Sequence, residues 1–69
     1  MQCTLECEQE GDGRWLAEVP QLLGVLAYGG TREEALGKAQ ALALRVIAKR
    51  IEARQAQPQS IRMLMRGFV

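Results

Sequence analysis

Apolar and polar residues alternate in two short runs near the start of the chain, with the period of two that is typical of β-strands. The runs cover residues 2–8 and 15–19, and residues 10–13 (EGDG) between them suit a tight turn. The apolar positions are Cys3, Leu5 and Cys7 in the first run and Trp15, Ala17 and Val19 in the second. Together the two runs predict a β-hairpin with one buried face.

A third short strand is predicted at residues 25–28 (VLAY). Pro20 ends the second strand, because proline has no N–H to donate to a neighbouring strand. Apolar residues occur on both faces of the third strand, which indicates burial on both sides or an interface. Gly29 and Gly30 then end it without steric cost.

A single helix is predicted to follow. Thr31 is a good N-cap, and Glu34 three residues later completes a capping box. Apolar residues then recur with helical spacing: Ala35, Leu36, Ala39, Leu42, Ala43, Val46 and Ile47. A weaker second stripe comprises Gly37, Ala41, Leu44 and Ala48. The helix is predicted to end before residues 55–60 (QAQPQS), which form a polar connector with a proline.

Residues 61–69 predict a last strand with apolar residues on both faces. The fold class is therefore α+β, with the order β-β-β-α-β: an antiparallel meander, one helix packed on one face, and a fourth strand. A right-handed crossover would place the fourth strand parallel beside the first. Arg62 and Arg66 would then lie near Glu6 and Glu8 on the outer face. The chain is predicted to form one domain, residues 1–69.

The size of the domain predicts self-association. A chain of 69 residues buries a small core, and small domains usually add a disulfide, a metal or a partner subunit. Cys3 and Cys7 would lie about 13 Å apart along one strand, well beyond the ~7 Å limit for a disulfide, and the chain has no His. We therefore expect reduced cysteines, no metal and a homodimer or tetramer.

No pattern in the chain indicates a membrane location. Residues 2–10 alternate and end acidic, unlike a signal peptide, and the longest apolar-rich segment, residues 39–51, is too short and too charged to span a bilayer. We expect a cytoplasmic protein.

Catalytic groups are scarce. Without His there is no ordinary general base at neutral pH, Ser60 is the only serine, and the two cysteines lie on the predicted core face, where thiols are usually inert. Glu6, Glu8 and Asp12 could form part of an acidic metal site, but two-metal chemistry needs further converging carboxylates that the helix and last strand do not supply. The expectation is a protein that is not an enzyme and has no cofactor.

Nucleic-acid binding is the alternative that the charge pattern leaves open. The net charge is +1, but the last 25 residues carry six basic residues and one acidic residue. Arg45, Lys49, Arg50 and Arg54 could contact phosphates, although basic residues also suit the C-terminal end of a helix. Three aromatic residues are too few for a base-stacking platform, so nucleic-acid contact is not the first expectation.

The segment DGRWLAEVPQLLGVLAYGGTREEALGKAQAL resembles the HicB-like family. That family combines an Asp-Gly-x-aromatic hairpin, a Val-Pro turn ending in Gly, a short strand, Gly-x-Thr and a Glu-Glu-Ala helix start. The matching residues are Asp12, Gly13, Trp15, Ala17, Val19, Pro20, Gly24, Gly29, Thr31, Glu33, Glu34 and Ala35. Gln21, Leu23 and Val25 depart from the pattern, at positions where an acid, a second proline and Cys are common.

The resemblance implies a partial ribonuclease H-like domain without catalytic carboxylates. In the family this domain typically acts as an antitoxin that masks HicA, a small mRNA-cleaving toxin. Full antitoxins often add a DNA-binding module that represses their own operon, and no such module is expected in these 69 residues. An orphan homo-oligomer without a toxin remains an alternative. The apolar residues that the core explains least are the predicted contacts: Leu26, Tyr28, Leu44, Leu64 and Phe68.

Overall fold

The computed structural model describes residues 1–54 and 60–65, which form four strands and one helix. The strands are β1 (Gln2–Gln9), β2 (Trp15–Glu18), β3 (Leu26–Gly29) and β4 (Arg62–Met65), and the helix α1 spans Arg32–Ala53. The predicted order β-β-β-α-β is confirmed. Wherever a predicted strand end falls within the described residues, the observed end lies within two residues of it.

The strands form one mixed sheet in the order β3-β2-β1-β4. The first three strands are a meander with antiparallel neighbours, and β4 pairs with β1 in parallel, as the crossover argument predicts. One detail of the expected register is wrong. Arg62 lies opposite Gln2, so it is four residues from Glu6, about 13 Å along the strand, and not beside Glu6 or Glu8. Arg66 lies outside the described residues.

The core lies between α1 and one face of the sheet. The helix contacts β1, β2 and β3, and within the described part of the chain it does not extend over β4. Its buried residues are Ala35, Leu36, Ala39, Ala43 and Ile47, and they meet Cys3, Leu5, Cys7, Ala17 and Val19 of the hairpin. The predicted core residues Leu42 and Val46 are only partly buried and pack at its margin. Three alanines in the helical stripe allow the helix to lie close to the sheet.

The start of α1 is fixed by two local features. Thr31 is in an extended conformation and its Oγ1 accepts a hydrogen bond from Glu34 N at 3.1 Å, which confirms the predicted N-cap. Gly29, the last residue of β3, lies directly under the first turn: a Cβ at this position would be 2.6 Å from Ala35 N. Only glycine allows the strand and the helix to meet this closely without a shift of one of them.

The connection between β2 and β3 is tied to β1 by one side chain. The amide oxygen of Gln21 accepts a hydrogen bond from Thr4 N at 2.9 Å, and its Nε2 donates to Thr4 Oγ1 at 3.1 Å. Thr4 is thereby buried, with 4% of its surface exposed, although it lies on the face of the sheet away from the helix. Gln21, one of the departures from the HicB-like pattern, therefore has a structural role: it satisfies a backbone N–H that no strand covers at this point.

Candidate protein-binding surface

One face of the sheet has no helix on it among the described residues, and we call it the outer face. Because side chains alternate along a strand, it is formed by the residues that lie between the core positions. These residues are Gln2, Thr4, Glu6 and Glu8 of β1, Leu16 and Glu18 of β2, Leu26 and Tyr28 of β3, and Arg62 and Leu64 of β4. This face is open to a partner within the described part of the chain.

An apolar area lies on the β3 side of the outer face. Leu16 is directly opposite Tyr28, and Leu26 lies two pairs further along the same two strands, opposite Glu18. Leu26 and Tyr28 are 47% and 40% exposed, so they are apolar side chains that the fold itself does not cover. Opposite residues such as Leu16 and Tyr28 lie about 5 Å apart at Cβ, and diagonal neighbours such as Leu16 and Leu26 about 7–8 Å apart, within reach of these side chains.

The ring of Tyr28 is held by a charged neighbour. The guanidinium carbon of Arg14 lies 4.6 Å from the centre of the ring, a cation–π distance. Arg14 is in turn bound by Asp12, with 2.8 Å between Nε and Oδ2. The hydrogen bond from Arg14 N, followed by the bond from its side chain, lowers the pKa of Asp12 below its ordinary value. The β1–β2 turn thus positions an aromatic side chain of a different strand.

An acidic strip crosses the middle of the outer face. Glu6 lies directly opposite Glu18, and Glu8 follows on β1 on the same face. The salt bridges of the described residues join Arg14 to Asp12, Arg32 to Glu33 and Lys38 to Glu34, and none of them reaches this strip. Like charges directly opposite on neighbouring strands destabilise a sheet. The fold therefore carries a small stability cost here that the rest of the described structure does not relieve.

Leu64 of β4 lies at the far side of the acidic strip. It is opposite Thr4 and 40% exposed. Three strand spacings, about 14 Å, separate β4 from β3, and Leu64 is level with Thr4, four residues along β1 from Glu8, which is level with Tyr28. The outer face therefore has an acidic centre with an exposed apolar side chain or area on each side.

The predicted contact residues separate into three groups. Leu26, Tyr28 and Leu64 all lie on the outer face. Leu44 is 48% exposed, but it belongs to α1 and so lies in the helical layer, away from the outer face. Phe68 lies outside the described residues.

Sequence reasoning missed two apolar residues near this surface. Leu16 could have been identified, because it alternates with the predicted core positions Trp15 and Ala17. Leu23 is fully exposed in the β2–β3 turn. Its position between Pro20 and Gly24 could have indicated an apolar residue exposed in a turn.

The basic residues of the alternative hypothesis do not form one face. Arg45, Lys49, Arg50 and Arg54 are all exposed, but at 3.6 residues per turn Arg45 and Arg54 lie about 180° apart around the helix. Arg50 and Arg54 line a small pocket with Met1 and Ile47 at the end of the sheet. The described residues thus offer a scattered set of basic groups and no continuous basic stripe.

Two further features bear on chemistry. Cys3 and Cys7 are free and buried, and burial raises the pKa of the Cys7 thiol, an effect that the charge of Arg32 opposes. Within residues 1–54 and 60–65, no group of three or more His, Cys, Asp or Glu side chains is arranged to hold a metal ion. No helix in the same ranges is long and apolar enough to cross a membrane.

Comparisons with known proteins give no match. No protein-family model matches the chain, and neither a curated protein nor a solved structure does.

Proposed function

We propose that this protein is a non-catalytic protein-binding domain that acts as the antitoxin of a HicA-type mRNA-cleaving toxin. The observation that carries the proposal is the outer face, where exposed Leu26, Tyr28 and Leu64 flank an acidic strip that has no ion pair among the described residues. Exposed apolar side chains grouped on one surface are typical of protein interfaces. The resemblance of residues 12–42 to the HicB-like family supports the choice of partner.

The charge of the outer face suits a partner that binds RNA. A protein that grips RNA presents basic groups to the phosphates, and the carboxylates of Glu6, Glu8 and Glu18 can meet the same groups. Complementary charges of this kind increase the rate of association and disfavour other partners. The toxin would therefore be masked because its RNA-binding groups are occupied by the acidic strip.

The apolar area supplies the part of the binding energy that charge does not. Tyr is enriched among residues that dominate protein interfaces, and such residues lie in the desolvated centre of the contact. Tyr28 is suited to such a role, since its ring is already held by Arg14 and 40% of the residue is exposed. Little conformational freedom would be lost when a partner covers it, which favours affinity.

The test uses the small basic protein encoded beside this gene, if that protein has the HicA pattern with a catalytic His. Cleavage of an mRNA by that protein is measured with increasing amounts of the purified chain. We expect the chain to inhibit cleavage, and we expect Tyr28→Ala and Glu18→Lys to raise the concentration needed for half inhibition by about tenfold or more, the effect of losing one interface anchor.

Leu44→Ala is the matched control, because Leu44 is as exposed as Leu26 but lies in the helical layer. Inhibition by Leu44→Ala should equal that of the original chain. The proposal is wrong if the chain does not inhibit the neighbouring protein, if no such neighbour exists, or if Leu44→Ala is as defective as Tyr28→Ala. Retardation of RNA by the chain itself at low salt, lost steeply as salt increases, would instead support the nucleic-acid hypothesis.

A further inference from the structure

The edge of the sheet formed by β3 is protected by the short length of the strand, four residues, and by no charged residue or proline within it. The strand order places β3 and β4 at the two ends of the sheet. Natural edge strands carry charged residues, prolines or bulges that prevent pairing with another chain. The sequence of β3 is LAYG, with no charge and no proline, and its pairing with β2 is regular. By contrast, β4 begins with the exposed Arg62.

The hydrogen-bond pattern shows which backbone groups face this open edge. Val19 N donates to Val25 O at 3.0 Å, which is one of the two bonds of a hydrogen-bonded pair and places Val19 and Val25 at such a position. Such pairs alternate along antiparallel strands, which makes Ala17 and Ala27 the next hydrogen-bonded pair. The backbone N–H and C=O groups of Leu26 and Tyr28 therefore point away from β2, toward the open edge.

We propose that two copies of this chain pair through β3 to form a dimer with a continuous eight-stranded sheet. The two β3 strands run antiparallel about a two-fold axis at Ala27. Leu26 of each copy then lies opposite Tyr28 of the other copy, and the outward backbone groups form four hydrogen bonds across the axis. The proposal concerns the edge of the sheet. It shares Leu26 and Tyr28 with the surface proposed for the toxin, so its test measures self-association in the absence of any toxin.

The side chains favour a second copy as the occupant of this edge. Leu26 and Tyr28 both lie on the outer face, so the symmetric register makes the same aliphatic–aromatic pair twice, a favourable cross-strand combination. No charged residue of β3 meets its own copy. Ala27 would lie on the axis in a non-hydrogen-bonded pair, where opposite Cα atoms are only about 4.5 Å apart, and its small side chain suits that distance.

The size of the domain points to the same occupant. The core is small and its two cysteines are free, and domains of this size commonly gain stability by oligomerisation. A symmetric dimer would enlarge the stable structure.

The first experiment measures the mass of the full chain in solution by sedimentation equilibrium over a range of micromolar concentrations. We expect a dimer for the original chain. Leu26→Lys should raise the dimer dissociation constant by about tenfold or more, because it places a charge in the edge without touching the core. Leu64→Lys is the matched control on the other edge strand, since Leu64 is similarly exposed on the same face, and its dissociation constant should be unchanged.

Tyr28→Pro provides a second, backbone-specific variant. Proline is tolerated in an edge strand when the lost N–H faces outward, so this variant should keep the circular dichroism spectrum of the fold and be monomeric. Amide hydrogen exchange by NMR adds a direct readout. The amides of Leu26 and Tyr28 should exchange slowly in the dimer and fast in Leu26→Lys, whereas the Ala27 amide, which faces β2, should be protected in both.

Three results would overturn the proposal. The first is an original chain that is monomeric throughout the micromolar range. The second is dissociation by Leu64→Lys that equals or exceeds dissociation by Leu26→Lys. The third is a dimer in which the amides of Leu26 and Tyr28 exchange as fast as exposed amides. None of these results depends on the toxin assay, so a failure here is distinguishable from a failure of the proposed function.

Discussion

Replacing Gly29 by alanine tests how the helix is joined to the sheet. The added Cβ would lie 2.6 Å from Ala35 N, 3.1 Å from Ala35 Cα and 3.0 Å from the Cβ of Glu34. The nearest atom is a backbone atom of the first helical turn, so no side chain can rotate away to make room. Ordinary carbon contacts lie at about 3.5–4.0 Å, so the first turn and the strand must separate by about 1 Å.

The separation has a cost that can be estimated. Ala35 N donates the first helical hydrogen bond, to Thr31 O at 3.1 Å, and moving Ala35 strains this bond together with the N-cap. Overpacking of this kind typically destabilises a protein by about 1–3 kcal/mol. For a domain of this size, each kcal/mol lowers the melting temperature by about 4–8 °C.

Gly30→Ala is the matched control. A Cβ at Gly30 has Glu34 Oε2 as its nearest neighbour at 4.0 Å, an ordinary contact, and the positive-φ glycines of the described chain are Gly13 and Gly24. Both substitutions reduce the freedom of the unfolded chain similarly, by about 0.4–1 kcal/mol. The difference between the two variants therefore isolates the steric effect at Gly29.

The assay is urea unfolding of both variants at one protein concentration, followed by far-ultraviolet circular dichroism. Fluorescence is less suitable, since Trp15 lies directly opposite Gly29 and senses the substitution itself. We expect Gly29→Ala to be less stable than Gly30→Ala by about 1–3 kcal/mol. A difference below about 0.5 kcal/mol, the usual scatter of surface substitutions, would refute the close approach of helix and strand.

Three further predictions concern single polar groups. Thr31→Ala should lower the free energy of unfolding by about 1 kcal/mol through loss of the N-cap, while Thr31→Ser should retain most of it; chemical unfolding measures both, and equal losses would contradict the cap. Gln21→Ala should lower the free energy of unfolding by about 1–3 kcal/mol because Thr4 N is left buried without an acceptor. The amide hydrogen of Thr4 should then exchange faster, and an unchanged exchange rate would show that another group accepts its hydrogen bond. The pKa of Asp12 is lowered in the folded protein, so its contribution to stability is complete above the ordinary pKa of 3.8 and is lost as the pH falls through the lower folded value. Over this acid range the urea midpoint should therefore fall less for Asp12→Asn than for the original chain. Parallel curves for the two proteins would contradict the bond between Asp12 and Arg14.

The meander and the helix could be predicted from the sequence because local signals agree there. The alternation of residues 2–8 marks one buried face, the EGDG turn closes the hairpin, and Thr31 fixes the start of the helix. Each of these elements is specified by residues that are close to one another in the chain. The parallel position of β4 also followed, since a crossover through one helix allows few arrangements.

The register of β4 and the burial of Thr4 could not be predicted, because neither is determined locally. The last strand has apolar residues on both faces, so its pattern does not define which face is buried, and no tight turn fixes its pairing with β1. Arg62 consequently lies opposite Gln2. Thr4 is covered by Gln21, which is 17 residues away, and no pattern in either segment indicates that bond.

The candidate surface was only partly accessible to sequence reasoning. Apolar residues on both faces of residues 25–28 indicate burial on both sides or an interface, and the structure leaves Leu26 and Tyr28 exposed on the outer face. The same excess of apolar character predicts Leu44 as a contact residue, but periodicity alone does not show which layer an exposed residue belongs to. The distinction between the outer face and the helical layer requires the three-dimensional structure.

The accessibility of the two buried thiols can be used to measure local opening of the structure. Cys3 lies opposite Met63 of β4, and Cys7 lies opposite Ala17 of β2, so the two sulfurs are placed beside different neighbouring strands. A thiol reagent can reach either one only when the structure around it opens. In the variants Cys7→Ala and Cys3→Ala, the rate of alkylation would therefore report separately on the opening around the parallel pair and around the hairpin. The stability of each part of the sheet can be measured in this way without attaching any probe.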